Sequence, residues 1–225
     1  MNANGFEKLH GIDEMDEKQV LTLCRTAEWL TRQKLSGTIE LYRPVKVQTG
    51  RTPRQTGARR IRRTNVMKRI GILGAGTWGM ALARMLTVSG NDVLVWSAIE
   101  KEIDSLSTTR KHPNLPQMKI PDELRFTKSI EEVCKDKDIL LFAVPSVFVR
   151  STAAKARPYV ADGQIIVDVA KGIEPDTLYT MTEILADELS KEGGPKGVRL
   201  VALSGPTHAE EVAIDLPTTI VSASK

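Results

Sequence analysis

The rhythm of apolar and polar positions changes near residue 69. From there to the end, short apolar runs alternate with stretches whose apolar residues recur at helical spacing. "RIGILGAG" (69–76) reads as a strand running into a turn. "TWGMALARMLTVSG" (77–90) reads as a helix, with Ala81, Ala83, Leu86 and Thr87 toward one side and Gly90 as its stop. "DVLVW" is a second strand, and 98–107 has helical spacing. The three prolines of "HPNLPQMKIPDEL" (112–124) impose a loop. Ser129 is placed to cap a helix over "IEEVCKD", with Glu131 and Glu132 in its favourable first turn. "DILLFAVP" is a buried strand halted by Pro145, "SVFVRSTAAKARPYV" a helix, and "QIIVDVAKG" a strand. Asp176 is the expected cap of a helix over "TLYTMTEILADELSK". "VRLVALSGP" is a strand, "HAEEVA" a short helix and "PTTIVSAS" a last strand.

Strands that are apolar on both faces, separated by helices, imply a parallel sheet covered on both sides. The fold class expected is therefore α/β, a Rossmann-like doubly wound parallel sheet, with ligands beyond the carboxyl ends of its strands. Residues 1–66 follow a different pattern. Asp13–Lys34 has one helical face, formed by Val20, Cys24, Ala27 and Leu30. The "YRPVKVQTGRTPRQTGARRIRRTN" that follows is polar, basic and short of core residues, a composition expected to be disordered. The domain plan is thus an extension over 1–66, a helix then a basic disordered linker, and a ligand-binding domain over 67–225. Met67, just before the first strand, is a candidate natural start.

Composition adds exclusions. Of 225 residues 41% are hydrophobic, enough for a core, yet no apolar run approaches the roughly 20 residues of a membrane span. Membrane insertion is not expected. "MNANGFEKLHGIDEMDEK" has no secretory apolar region. Cys24 and Cys134 lie far apart and outside any metal-ligand spacing, which fits a reducing cytoplasm and no metal site. The net charge of +4 is uneven: no Asp or Glu occurs from Leu41 to Gly90, while Arg51, Arg54, Arg59, Arg60, Arg62 and Arg63 crowd that region. No aromatic platform accompanies these arginines, so nucleic acid is not the expected partner.

The candidate chemistry starts at Gly74-Ala75-Gly76-Thr77-Trp78-Gly79, which fits G-x-G-x-x-G between a strand and a helix. Gly74 permits the tight turn. Gly76, lacking Cβ, lets a pyrophosphate approach the backbone, and Gly79 lets the helix pack closely. Helix-start N–H groups then face the phosphates of a dinucleotide. An NAD site commonly carries Asp or Glu about 20 residues further on. Here that place reads Trp96-Ser97-Ala98-Ile99-Glu100-Lys101, with no acid at the strand end and no Arg, so NAD and NADP stay open.

Further segments carry a resemblance. "FAVPS" (142–146), "VAKGIEP" (169–175) and "LSGPTHAEEVA" (203–213), with "GAGTWGMALA", "LPTTIVSAS" and "NLPQMKIPDELRFT", resemble the bacterial-type NAD(P)-dependent glycerol-3-phosphate dehydrogenases. The resemblance runs from about Lys68 to the last residue, in the family's order. It implies reduction of dihydroxyacetone phosphate to sn-glycerol 3-phosphate, a glycerophospholipid precursor, by NADH or NADPH. It also implies that Thr77, Trp78, Ala98, Pro145 and Ala209 contact the cofactor. Lys171 would lie between cofactor and substrate, and Gly205 and Thr207 would line the substrate side. Arg or His stands near position 98 in many members; alanine here weighs against NADP. The resemblance further implies a helical domain after this one that supplies the catalytic lysine, a homodimer for the longer parent, and poor turnover by these 225 residues alone.

On the residues themselves, Lys171 is expected to end a strand at the ligand edge, where an ammonium polarises a carbonyl or attracts a phosphate. Thr207 is a possible helix cap. His208 is read as a first-turn residue rather than a base. Trp78 and Trp96 read as packing residues, and Cys134 as a buried small hydrophobe.

Overall fold

The computed structural model describes residues 67–224. The helix expected over Asp13–Lys34 and the basic stretch after it lie outside the described residues.

Seven strands form one sheet in the order β3-β2-β1-β4-β5-β6-β7. They are β1 (Arg69–Leu73), β2 (Asp92–Trp96), β3 (Arg125–Thr127), β4 (Ile139–Phe142), β5 (Ile165–Asp168), β6 (Arg199–Ser204) and β7 (Val221–Ser224). The helices are α1 (Thr77–Val88), α2 (Glu100–Thr109), α3 (Ile130–Cys134), α4 (Val149–Ala156), α5 (Met181–Leu189) and α6 (Ala209–Val212). β1 to β6 pair in parallel, and β7 runs antiparallel to β6. The chain first moves outward from β1 to β3, then returns to β4 on the other side of β1. That reversal leaves a crevice at the carboxyl ends of β1 and β4, the switch point of a doubly wound sheet.

Side chains alternate between the two faces of a strand, so each buried strand serves two cores. Ile139 and Leu141 of β4 join Ile72, Met80, Leu82, Val95, Leu106 and Val212 under α1, α2 and α6. Leu140 and Phe142 join Leu94, Val133, Ala153, Ile166, Ile184 and Leu185 under α3, α4 and α5. Gly71 is needed on the second face: a Cβ there would lie 2.0 Å from the Val133 carbonyl oxygen, so α3 approaches β1 at backbone distance. Cys134 is 1% exposed in this core, and burial pushes its thiol up to about 12.

Several expected elements shift, each for a local reason. β3 was not expected: "RFT" is too short to show a period, yet it pairs with Leu94–Trp96 as an edge strand. Helix α2 begins at Glu100 rather than 98, because Ser97 and Ile99 form a turn first. The "SVFVRSTAAKARPYV" helix divides into a 3-10 turn (146–148), α4, and a second 3-10 turn (157–159) containing Pro158. Asp176 is not the cap of α5. Thr180 occupies that position, and Glu183 accepts from its N–H and its hydroxyl, both at 2.8 Å. Residues 173–180 instead close a small loop through an Ile173–Thr180 bridge. Ser129 caps α3 as expected, its hydroxyl accepting from the Glu132 N–H at 3.2 Å.

Candidate functional site

The residues expected to bind cofactor or substrate all follow the carboxyl ends of β1, β2, β4, β5 and β6. Gly74, Gly76, Thr77, Trp78 and Gly79 follow β1. Ala98 follows β2, Pro145 follows β4, and Lys171 follows β5. Gly205, Thr207 and Ala209 follow β6. Pairing carries five adjacent parallel strands into this one edge.

The glycine turn shows three different demands on backbone. Gly74 has φ +120, and a Cβ would lie 2.6 Å from the Ala143 carbonyl oxygen, so both conformation and space require glycine. At Gly79 a Cβ would lie 2.2 Å from the Gly74 carbonyl oxygen; the helix packs on the turn itself. Gly76 has ordinary extended dihedrals (φ −66, ψ 179), and nothing lies within 4 Å of where its Cβ would stand. The fold does not need glycine there; an approaching ligand would. Met80 donates the first helical bond, to the Gly76 carbonyl at 2.9 Å. The N–H groups of Thr77, Trp78 and Gly79 precede it and have no intrahelical acceptor. Gly76 is exposed, and no acidic side chain lies in the first turn of α1. This edge fits a pyrophosphate by its open glycine face and its amide donors.

His112 holds the turn from below. It is 3% exposed, and its Nε2 lies 3.2 Å from the Ala75 carbonyl oxygen. Its Nδ1 accepts the Asn114 N–H at 3.2 Å, so the Nε2 nitrogen carries the proton and donates to Ala75. Sequence reading placed this residue in an undistinguished proline loop. Its only signal was an isolated histidine beside Pro113.

On the other side of the crevice Lys171 does not end a strand. β5 stops at Asp168, and Lys171 stands in the loop beyond it. Its Nζ donates to the Gly205 carbonyl at 3.0 Å, which joins the loops after β5 and β6. An ammonium has three donors, and this side chain is exposed. Upstream, Asp168 is 5% exposed and accepts the Ala170 N–H at 3.1 Å; burial raises its carboxyl to about 6. Downstream, the Arg150 guanidinium donates to both Glu174 oxygens at 2.7 Å and also pairs with Asp187. Arg150 holds the Glu174 carboxyl down at about 2. Lys171 therefore sits between two anchored points.

Thr207 does not cap α6; its N–H turns back onto the Gly205 carbonyl at 2.9 Å, and His208 takes the cap position, exposed to solvent. Ala209 is buried where α6 packs on α1. Trp78 is partly buried against the same core, and Trp96 is buried with its Nε1 donating to the Lys128 carbonyl at 3.1 Å. A charged cavity lined by Arg69, Asp92, Arg125, Glu132 and Lys137 lies at the opposite, amino end of the strands. Its lining groups partner one another, as in Arg125–Asp92 at 2.6 Å.

A parallel sheet in the order 3-2-1-4-5-6, with a glycine turn at its switch point, defines a Rossmann-type dinucleotide-binding domain. Residues 69–225 match the family model described as "NAD-dependent glycerol-3-phosphate dehydrogenase N-terminus", and the chain belongs to that family. It is 69% identical over 157 residues to a glycerol-3-phosphate dehydrogenase [NAD(P)+] of Lactobacillus delbrueckii subsp. bulgaricus, covering 70% of this chain and 47% of the relative. The Bacillus subtilis enzyme of the same name is 39% identical over 162 residues, covering 71% and 46%. Among solved structures, glycerol-3-phosphate dehydrogenase from Coxiella burnetii aligns with a TM-score of 0.61 and 30% identity, over 70% of this chain and 47% of that one. A UDP-glucose dehydrogenase from Pyrobaculum islandicum shares the fold, with a TM-score of 0.58 and 19% identity over 72% of this chain and 42% of that one. The chain spans about half the length of the curated relatives it matches.

Proposed function

We propose that residues 67–225 form the dinucleotide-binding half of an NAD(P)-dependent glycerol-3-phosphate dehydrogenase, with 1–66 an extension that takes no part in the cofactor site. The observation that carries this reading is the open Gly76 face beneath the α1 amides, within a segment matched end to end by the family. The reaction is reduction of dihydroxyacetone phosphate to sn-glycerol 3-phosphate and its reverse. When bound, the reduced nicotinamide supplies a hydride to the carbonyl carbon, and a proton must reach the oxygen.

This chain's residues do the binding and orienting. The N–H groups of Thr77, Trp78 and Gly79 bind the pyrophosphate, with Gly74 and Gly79 shaping their turn. Ala98 lies beside the adenosine ribose, and Pro145 and Ala209 border the nicotinamide half. Lys171, fixed by its bond to Gly205, offers its remaining donors to the substrate carbonyl or phosphate. Gly205 and Thr207 line that side. The described residues supply one wall. Hydride transfer needs donor and acceptor carbons held together in a dry site, so we assign the proton donor and the second wall to the half of the relatives' length that this chain does not span. An unpaired, buried Cys134 fits a cytoplasmic setting.

The test compares the purified chain with a chimaera that completes it with the second half of the Lactobacillus delbrueckii relative. Each is assayed for NAD+ and NADP+ reduction with sn-glycerol 3-phosphate, lactate and UDP-glucose. The proposal expects cofactor binding by both proteins and turnover of sn-glycerol 3-phosphate by the chimaera. Oxidation of sn-glycerol 3-phosphate by the chain alone at the chimaera's rate, or a chimaera active only on another substrate, overturns it. Deleting 1–66 should leave cofactor affinity unchanged.

A further inference from the structure

We infer that the cofactor is recognised without a 2′-phosphate, so that NADH binds more tightly than NADPH, and that Glu102 acting with Ser97 sets this preference. The inference rests on the dinucleotide reading of the glycine turn and deepens it.

The observation lies at the end of β2, where a doubly wound sheet reads the adenosine ribose. The residue there is Ser97, 7% exposed. Its hydroxyl donates to Glu102 Oε2 at 2.5 Å and accepts the Ile99 N–H at 3.1 Å. Both the proton and a lone pair of Ser97 are thus committed. The acid missing from the strand end in sequence is brought there from the first turn of α2. Glu102 Oε1 makes no hydrogen bond among the described residues, which leaves an acceptor for the hydroxyl of an unphosphorylated ribose. A 2′-phosphate would instead bring up to two negative charges against a carboxylate.

The cations near this end do not offset that charge. Lys128 pairs with Asp104 at 2.7 Å and Glu100 at 3.7 Å. Lys101 is exposed and makes no ion pair among the described residues, but the same turn carries Glu100 and Glu102. Ala98, where a guanidinium could clamp a phosphate bidentately, has no charge to offer. A 2′-phosphate meets an excess of carboxylates at this corner.

The experiment titrates the purified chain with NADH and with NADPH, following nicotinamide fluorescence, at fixed low ionic strength. Expected is a Kd for NADH at least ten-fold below that for NADPH. Glu102→Gln should shrink the ratio several-fold, by weakening NADH and strengthening NADPH. Ala98→Arg should raise NADPH affinity while the variant unfolds at the wild-type urea midpoint, and Lys101→Ala should leave the ratio unchanged. NADPH binding as tightly as NADH, or a ratio that Glu102→Gln does not alter, overturns the preference while leaving the dinucleotide reading intact. Failure of both nucleotides to bind a folded chain overturns the dinucleotide reading itself, and this inference with it.

Discussion

Replacing Gly76 with alanine separates the needs of the fold from the needs of a ligand. The backbone at Gly76 has φ −66 and ψ 179, which alanine adopts freely, and its Cβ would enter space with no heavy atom within 4 Å. Two small terms act on stability. Alanine reduces the entropy of the unfolded chain, a gain of about 0.4–1 kcal/mol. It is also a poorer helix N-cap than glycine, a loss of about 0.5–1 kcal/mol. They nearly cancel, so Gly76→Ala should unfold within about 1 kcal/mol of the wild type. Gly74→Ala is the contrast. It forces alanine to φ +120 and places its Cβ 2.6 Å from the Ala143 oxygen. Left-handed strain of about 1–2 kcal/mol and overpacking of about 1–3 kcal/mol together predict a loss of about 2–5 kcal/mol. Urea unfolding gives both stabilities, and titration with NADH gives affinity. The methyl at 76 stands on the surface a pyrophosphate must approach, so Kd should rise at least ten-fold, or about 1.4 kcal/mol. A Gly76→Ala chain that is stable and binds NADH like the wild type would refute the placement of the phosphates.

Three further predictions concern groups around the crevice. Asp168 is buried with its carboxyl raised from 3.8 to about 6. The folded state therefore binds the proton more tightly than the unfolded state, and wild-type stability falls relative to Asp168→Asn as pH rises from about 4 to about 6. The difference should reach about 3 kcal/mol above that window; parallel urea titrations that stay level from pH 4 to 7 would contradict it. His112→Ala removes the donor to Ala75 and the acceptor for the Asn114 N–H. Leaving these groups unpaired beneath the turn should cost about 2–3 kcal/mol, read from the urea midpoint. Burial pushes the Cys134 thiol up to about 12. In a Cys24→Ser background it should react with a disulfide reagent at pH 8 only as fast as the chain unfolds.

The legibility of this fold follows from where the signals are local. Strand β2 was readable to the residue because "DVLVW" is bounded by polar Asn91 and Ser97. The turn after β1 was readable because its glycines have fixed spacing. Strand β3 was not, since three residues hold no period and their pairing depends on β2. The cap of α5 was misplaced because Asp176 and Thr180 both suit a helix start; the Ile173–Thr180 bridge, a contact across the loop, decides between them. Lys171 was expected on a strand because "IIVDVAKG" is apolar almost throughout, yet its ladder ends at Asp168, and the Ala170 N–H turns onto the Asp168 side chain. The bonds that join distant segments, His112 to Ala75 and Lys171 to Gly205, have no signature in spacing. Even the nearby Ser97–Glu102 pair became visible only with the turn that starts α2.

The central claim is that a dinucleotide lies on the Gly74–Gly79 turn. Amide-resolved NMR of the chain titrated with NADH tests it directly. The account predicts saturable shifts at Gly76, Thr77, Trp78 and Gly79, with further shifts at Ser97–Ile99 and Lys171. Saturable binding that leaves those amides unmoved, or that shifts instead the amino-end cavity around Arg69 and Lys137, would contradict it.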